Sequence, residues 1–357
     1  MWDSERFGRL IEAAQGRRIA DLCIRQCRLV NVISGRVEKV NLAIHEGMVL
    51  GWGDYDAKEV IDGSEMYACP GFIDGHVHIE SALLSPAQFC AAVLPWGTTA
   101  VVADPHEIAN VLGLDGIRYF LEATQNLPFD TYFNLPSCVP ATPLETSGAH
   151  LRGADLSSLL PHPRLLGLAE MMNFPGVLQA FPEVMDKLVL FQEHSLDGHA
   201  PCLSGMQLNA YLAAGIASDH ECTILSEASE KLAKGMHIMI REGSQSKDLD
   251  ALLPLVDAFT WPHCMLVSDD RHPNDLLREG HMNAIVNRAM AKGMHPVQAL
   301  ALATLTPARY FHLSRRGALA PGFYADFSLS PTLNPWNPQR VFKRGVEVAR
   351  EGRLLSD

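Results

Sequence analysis

The chain has 357 residues, with 29 Lys or Arg against 41 Asp or Glu, so its formal net charge is −12. Because 47% of the residues are hydrophobic and 20% are charged, the chain can bury a large core and is not intrinsically disordered. The acidic balance argues against nucleic acid or an anionic membrane surface as the main partner. The length suits either two ordinary domains or one α/β barrel.

The cysteines and the apolar runs bear on the compartment. The eight cysteines are scattered without a CxxC pair, which favours a reduced protein with buried thiols over a disulfide framework or a zinc knuckle. The opening run MWDSERFGRLIEAAQGRR is charged throughout and lacks the apolar core of a secretory signal. No stretch approaches the roughly 18 uninterrupted apolar residues of a membrane span, so we expect a cytoplasmic protein.

The first predicted elements are a helix and a small β unit. Apolar residues recur at helical spacing over residues 4–14, which predicts a short amphipathic helix. Residues 20–69 contain strand-like runs punctuated by glycines, as expected for a small antiparallel β unit. Pro70-Gly71 then breaks the pattern, and beyond it apolar strands alternate with helical segments to about Leu313. That alternation is typical of βα units and a parallel sheet.

Eight strand candidates follow Pro70-Gly71, which is the number that a (β/α)8 barrel needs. They cover residues 72–79, 98–104, 131–137, 165–171, 196–200, 216–221, 237–243 and 264–270. The C-terminal segment again looks strand-rich, and we expect it to pair with the N-terminal β unit. We therefore predict an α/β fold, a TIM-type barrel with a small composite β-sandwich domain. The expected boundaries are 1–69 for the helix and half of the β domain, 70–315 for the barrel and 316–357 for the remaining half.

Metal-ligating residue types recur where the predicted strands end. His76 and His78 are two residues apart on the first strand, so both imidazoles can point to the same face. Other residues of this kind stand at the ends of four later strands: Glu170, His199, His220 and Asp269. In a parallel barrel the carboxyl ends of the strands converge on the active-site face. Any one of these residues could be a satisfied core residue, but six on five strand ends indicate a site.

The set predicts a binuclear metal centre. Imidazole nitrogen and carboxylate oxygen favour zinc, iron or manganese, and two ions need a bridging anionic ligand. Some binuclear barrel hydrolases bridge with a carbamylated lysine, but no lysine occurs between Lys58 and Lys187. Glu170 is therefore the available bridge.

Further residues near this face have two possible roles. His106 and Glu107, in the run DPHE, could contact a substrate or belong to an ordinary helix-starting turn. Arg241 could bind a substrate ring or serve as an internal salt-bridge partner. Glu80 and Ser81 could orient the ligating imidazoles. Asp270 should face away from Asp269 by strand alternation.

Several motifs together resemble the amidohydrolase superfamily and, within it, the adenine deaminases. They are PGFIDGHVHIES, DPHEIAN, LAEMMN, DGHAP, SDHE, REGS, SDDRHP and ALATLTPARYF followed by GALAPGFYADF. The resemblance runs from about Ala20 to Asp326. Adenine deaminases of this kind usually continue into a large C-terminal region, whereas this chain stops soon after the predicted barrel.

The resemblance implies hydrolysis of adenine to hypoxanthine and ammonia, as in purine salvage, with two divalent ions, manganese or iron in use and zinc possible. It implies metal ligation by His76, His78, Glu170, His199, His220 and Asp269. Asp269, Glu170 and His106 are the expected catalytic residues, and Glu107 and Arg241 the expected substrate contacts. We expect adenine as the substrate and a homo-oligomer, with neither nucleic acid nor membrane as partner. The alternatives are an amidohydrolase acting on a cyclic amide or N-acyl bond, and a shortened non-catalytic homologue. The zinc deaminases with a P-C-x-x-C motif are excluded, because this sequence has none.

Overall fold

The computed structural model describes residues 3–355 and consists of two compact units. One contains the residues up to Ile73, Ala91–Thr99 and the residues from Gly280 onward; the other contains Asp74–Cys90 and Ala100–Glu279. The predicted boundaries place residues 280–315 in the barrel, and they stay a prediction. No helix within residues 3–355 combines the length and apolarity needed to cross a membrane.

The helices fall in the expected segments. The first covers the predicted residues 4–14, and Asp3 begins it by accepting a hydrogen bond from the Arg6 amide at 2.8 Å. The α-helices are α1 Ser4–Ala14, α2 Pro86–Val93, α3 His106–Leu112, α4 Leu114–Ala123, α5 Gly153–Ser157, α6 Phe174–Leu178, α7 Pro182–Leu190, α8 Gly205–Ala213, α9 Leu225–Ala233, α10 Leu249–Leu252, α11 Pro273–Arg278, α12 Met282–Ala291, α13 Pro296–Leu302 and α14 Leu305–Tyr310.

The first unit is built on a sheet that combines both ends of the chain. Nine strands belong to it: β1 Ala20–Asn31, β2 Arg36–His45, β3 Met48–Trp52, β4 Ala57–Asp62, β5 Tyr67–Pro70, β14 Phe327–Ser330, β15 Arg340–Lys343, β16 Val346–Arg350 and β17 Arg353–Leu354. The antiparallel pair β5–β14 joins the N-terminal strands to the C-terminal ones. A buried core that includes Leu29, Phe327 and Phe342 stabilises this unit. The predicted pairing of the two β-rich ends is therefore confirmed.

All eight predicted barrel strands are present. They are β6 Phe72–Val77, β7 Thr98–Ala103, β8 Asp130–Leu135, β9 Leu165–Met171, β10 Ser195–Gly198, β11 Ser218–Asp219, β12 His237–Arg241 and β13 Cys264–Val267. One sheet has the order β10-β9-β8-β7-β6 and the other β11-β12-β13. A parallel bridge between Val77 and Asp269 joins the sheets on one side, and the Ala217 amide donates to the Leu196 carbonyl at 2.9 Å on the other. The TIM-type barrel is confirmed.

Two details differ from the sequence-based expectation. β11 has two residues instead of the predicted six, because the Asp219 carboxylate accepts the Glu221 amide at 3.1 Å and so competes with strand pairing. Cys202 is exposed, whereas the other seven cysteines are buried as predicted. Cys202 has φ +61°, a left-handed backbone conformation in the loop after β10.

Candidate metal centre

The six predicted ligand residues come together at the carboxyl ends of the barrel strands. His76 lies on β6 with His78 just beyond it, and Glu170 lies on β9. The other three follow the ends of β10, β11 and β13: His199, His220 and Asp269. Only His199 is appreciably exposed, because its side chain keeps 23% of its accessible surface, while those of the other five keep 8% or less.

Glu170 stands at the middle of the cluster. Its Oε1 lies 3.4 Å from His78 Nε2, whereas its Oε2 lies 2.5 Å from His199 Nδ1 and 3.2 Å from His220 Nε2. The two oxygens thus face different histidines. We call the group His76, His78 and Asp269 the β6 side, and the pair His199 and His220 the β10 side. The Glu170 carboxylate therefore lies between the two groups.

On the β6 side, three potential ligand atoms face one another. His76 Nε2 and His78 Nε2 are 3.2 Å apart, and Asp269 Oδ1 lies 3.7 Å from the first and 3.3 Å from the second. His78 Nδ1 lies 3.1 Å from the Asp104 carbonyl oxygen, which can only accept a hydrogen bond. Nδ1 therefore carries a proton, and Nε2 is the nitrogen turned toward the cluster.

Asp269 reaches the cluster through an unusual backbone conformation. β13 ends at Val267, and Asp269 has φ +55°. This is the left-handed region, which residues other than glycine seldom adopt. Its amide donates to the His76 carbonyl at 2.9 Å, which holds this turn against β6. Asp270 faces elsewhere and accepts a short hydrogen bond from Ser81 Oγ. The predicted divergence of the two aspartates is thus present, but this turn produces it and strand alternation does not.

The charges of the cluster support one another. Burial acts to raise the pKa of Glu170, but His220 and the hydrogen bonds from His199, His220 and His78 outweigh it and hold that pKa well below its usual range. Asp269 shows the same balance. Burial raises its pKa, but the contacts with His78 and His76 lower it by more, so the net shift is downward. Burial lowers the pKa of His220, but Glu170 reverses this and raises it to about 9. Both carboxylates are therefore ionised at neutral pH.

Asp104 is a cluster member that the sequence analysis did not select. Its carboxylate Oδ2 lies 2.9 Å from His106 Nδ1, and its Oδ1 is buried without a hydrogen-bond partner. Together with His78, His106 and Glu170 it forms a four-residue group compact enough to hold an ion. Asp104 directly follows β7, so the rule that selected the other strand-end residues also applies to it.

His106 and Glu107, at the start of α3, both join the cluster. His106 Nδ1 lies 3.4 Å from Glu170 Oε1, and Glu107 Oε2 lies 3.6 Å from His78 Nδ1. Ser81 Oγ, which donates its single proton to Asp270, also lies 3.3 Å from Glu107 Oε1. Glu80 accepts the Ile108 amide at 3.2 Å, and burial together with Glu107 raises the pKa of Glu80 to about 8. Glu80 and Ser81 therefore contact the start of α3, and their role in orienting the imidazoles of His76 and His78 stays a prediction.

Arg241 is surrounded by carboxylates. It donates to Asp248 at 3.0 Å, to Asp269 Oδ2 at 3.0 Å and, through a very short contact, to Glu221. Glu221 in turn lies 3.7 Å from His199 Nδ1 and 3.6 Å from His220 Nε2. These contacts support the internal salt-bridge role that the sequence left open, while a substrate contact by Arg241 stays a prediction.

The donor set is suited to divalent metal ions. Buried imidazole nitrogens and carboxylate oxygens converge, and two carboxylate oxygens at this site, Asp104 Oδ1 and Glu107 Oε2, are buried without a hydrogen-bond partner. A buried carboxylate oxygen without a hydrogen-bond donor is expected where a cation binds that oxygen. The His/Asp/Glu cluster thus fits a divalent-metal site of the kind that members of the amidohydrolase superfamily use.

Curated relatives match the entire chain. It is 72% identical over 356 residues to an adenine deaminase of Syntrophobacter fumaroxidans, an alignment that covers 100% of this chain and 62% of that protein. It is 47% identical over 346 residues to adenine deaminase 2 of Carboxydothermus hydrogenoformans, with coverage of 97% and 61%. The chain therefore spans about three fifths of the length of these relatives.

Solved structures and a family match agree with the fold. A beta-aspartyl dipeptidase from Fervidobacterium islandicum AW-1 superposes with a TM-score of 0.69 at 15% identity, covering 94% of this chain and 98% of that one. At this identity the likeness concerns the fold alone. The amidohydrolase family matches residues 67–348, which include the whole cluster. The chain therefore belongs to the amidohydrolase family.

Proposed function

We propose that this protein catalyses the hydrolytic deamination of adenine to hypoxanthine and ammonia. The observation that carries the proposal is the cluster centred on Glu170, in a chain that is 72% identical over 356 residues to an adenine deaminase. The cluster supplies ionised carboxylates and imidazoles around one buried point, which suits a hydrolase. Because the chain spans 62% of that relative, the activity has to be measured on this chain itself.

The cofactor that we propose is a pair of divalent ions, manganese or iron, with zinc as the other possibility. The proposed ligands are the six residues of the cluster: His76, His78, Glu170, His199, His220 and Asp269. Such ions, when bound, act as Lewis acids and lower the pKa of a coordinated water toward neutrality. Glu170 would hold both ions, since its two oxygens face histidines of different sides.

Asp269 is the proposed proton carrier. Its pKa lies below the usual range, so at neutral pH its carboxylate is ionised, which is the protonation state that a proton acceptor needs. It would then deliver a proton to a ring nitrogen or to the departing amine, so that ammonia leaves instead of an amide anion. Arg241, at 3.0 Å, fixes the second carboxylate oxygen and thereby the orientation of the first. We propose that His106 and Glu107 assist the transfer or contact the base, since His106 Nδ1 lies 3.4 Å from Glu170 Oε1 and Glu107 Oε2 lies 3.6 Å from His78 Nδ1.

Adenine should be preferred over adenosine. The free base exposes N9, and a pocket that pairs N9 with a buried polar group leaves this group unsatisfied when ribose replaces the hydrogen. An unsatisfied buried partner costs about 1–3 kcal/mol, and a clash with the sugar adds to the loss. We expect a preference of about a hundredfold or more in kcat/KM.

The decisive experiment measures ammonia release from adenine by iron- or manganese-loaded protein beside a chelator-treated control. Adenosine, cytosine and the cyclic amide dihydroorotate complete the substrate panel under the same metal condition. Turnover of adenine, with about two ions per chain, is the expected result. Turnover of the amide alone would assign the chain to another amidohydrolase reaction, and no turnover of any substrate by metal-loaded protein would favour a non-catalytic homologue.

We also propose the three-part domain division at residues 69 and 315, a homo-oligomeric state and a cytoplasmic location. Limited proteolysis tests the boundaries, light scattering the oligomeric state and cell fractionation the location. The acidic composition agrees with a small-molecule substrate in place of nucleic acid.

A further inference from the structure

A buried lysine connects the loop after β10 to the last residue of β11. Lys231 on α9 is completely buried, and its ammonium group donates three hydrogen bonds. The acceptors are the Ala200 carbonyl at 2.7 Å, Asp219 Oδ2 at 3.0 Å and Glu227 Oε1 at 2.6 Å. Since an ammonium group has three N–H donors, each of them is used.

Two of the acceptors belong to residues next to the histidines. Ala200 directly follows His199, and Asp219 directly precedes His220. The Asp219 carboxylate also accepts the Ala200 amide at 2.8 Å. Asp219 and Lys231 thus bond to the amide and the carbonyl of Ala200, respectively. These bonds connect the chain after His199 to the chain before His220.

The third acceptor continues the connection along the first loop. Glu227 Oε1, besides accepting from Lys231, accepts the Cys202 amide at 2.8 Å. Cys202 lies three residues beyond His199, at the left-handed position of that loop. The network therefore contacts the loop after β10 at two points and the last residue of β11 at one.

We propose that Lys231 is a positioning residue that sets the separation of His199 and His220 for metal binding, an inference that rests on the ligand roles proposed above. Strand pairing contributes little to the positions of the two histidines, because β10 has four residues and β11 only two. Lys231 itself touches neither imidazole. It acts through Ala200 and Asp219, whose backbone atoms are bonded to the histidines.

The residue that follows α9 offers a matched control. Lys234 pairs with Glu230 at 2.7 Å with the same i, i+4 spacing, and it donates to the Gly205 carbonyl at 3.0 Å. Its side chain is 29% exposed, and Gly205 lies six residues beyond His199. Both lysines are cationic and bond a backbone carbonyl and the glutamate four residues earlier, and they differ in burial and in the distance of their contacts from the histidines.

The test compares Lys231→Met and Lys234→Met with the parent protein by Co²⁺ titration and by the visible spectrum of the Co²⁺-loaded proteins. Co²⁺ absorption reports the ligand geometry whether or not the protein turns over any substrate. We expect Lys231→Met to bind Co²⁺ about tenfold to a hundredfold more weakly with an altered spectrum, and Lys234→Met to stay within twofold of the parent. A folded Lys231→Met protein with parental affinity and spectrum overturns the proposal.

A second variant covers the case that Lys231→Met does not fold, since this change leaves Asp219 buried without its cation. Glu227→Leu removes the acceptor shared by Lys231 and the Cys202 amide but leaves the bond from Lys231 to Asp219 in place, and we expect a threefold to tenfold weaker Co²⁺ affinity; unchanged affinity overturns the proposal. A parent protein that binds Co²⁺ but does not deaminate adenine would refute the proposed function alone. A parent that binds no Co²⁺ would refute both proposals.

Discussion

The two sides of the cluster are held in place by different means. On the β6 side, His76 lies within a six-residue strand, and the Asp269 amide donates to its carbonyl at 2.9 Å. On the β10 side, His199 and His220 lie beyond short strands, and side chains do the holding. Lys231, Asp219 and Tyr211 all contribute bonds there.

This difference shows how one barrel end can supply ligands from strands of unequal length. Where a strand continues to the ligand, backbone hydrogen bonds position it. Where the strand stops early, the loop must be positioned by buried polar side chains, whose bonds are costly to break because the partner remains buried. On the β10 side, substituting a residue that does not touch the imidazole of His199 or His220 should therefore still change metal binding.

The largest effect should come from Glu170→Ala, because Glu170 faces both sides. We expect the content of bound metal to fall below one ion per chain, and turnover to fall by more than the roughly hundredfold that loss of an outer partner costs. Metal analysis together with ammonia release measures both, and Glu193→Ala, an exposed glutamate, is the control. Retention of two ions would contradict the bridging role.

Asp269→Asn should separate chemistry from metal binding on the β6 side. The amide keeps the size and one oxygen donor but cannot accept the proton, so kcat should drop about 10²–10⁴-fold while metal content declines much less. Steady-state kinetics on protein of known metal content measures this. Activity within threefold of the parent would show that Asp269 is not the proton carrier.

Tyr211→Phe should weaken the β10 side specifically. The Tyr211 hydroxyl accepts the His199 amide at 3.1 Å and donates to the Met171 carbonyl at 2.8 Å, next to Glu170. Removing it leaves two buried backbone groups unpaired, so the free energy of unfolding should fall by about 1–3 kcal/mol. Denaturant unfolding measures the change, with the half-exposed Tyr119→Phe as control. Equal free energies of unfolding in the two variants would argue against a stabilising role for the two bonds of the Tyr211 hydroxyl.

The smallest effect that we predict is a pH dependence confined to metal-free protein. The pKa of His220 is raised from 6.5 to about 9 in the folded state, so its stabilising contribution is fully present below about pH 6.5 and is lost as pH rises through about 9. Tm of chelator-treated protein should therefore fall by a few degrees between these values.

Metal-loaded protein should not show that loss, because an ion takes the place of the proton on the imidazole. Thermal unfolding of the two forms across this pH range gives the comparison. A parallel decline of Tm in both forms would show that groups outside the cluster cause it.

The sequence alone determined the order of the elements and six residues of the cluster, because hydrophobic periodicity is local and the strand ends of a parallel barrel converge on one face. Helix 4–14 and the eight barrel strands could be predicted in this way. Asp104 could have been selected by the same rule, since it directly follows β7.

Tertiary structure decided what depends on groups distant in the chain. The left-handed turn at Asp269 exists because its amide meets the His76 carbonyl, and the neighbouring Ser268 bonds Asp74 across 194 residues. Arg241 contacts Asp269, and Lys231 contacts Ala200 and Asp219, only once separate barrel strands are adjacent. Local pattern contains no information on such pairs, because a charged side chain has the same periodicity whether its partner is solvent or a buried carboxylate.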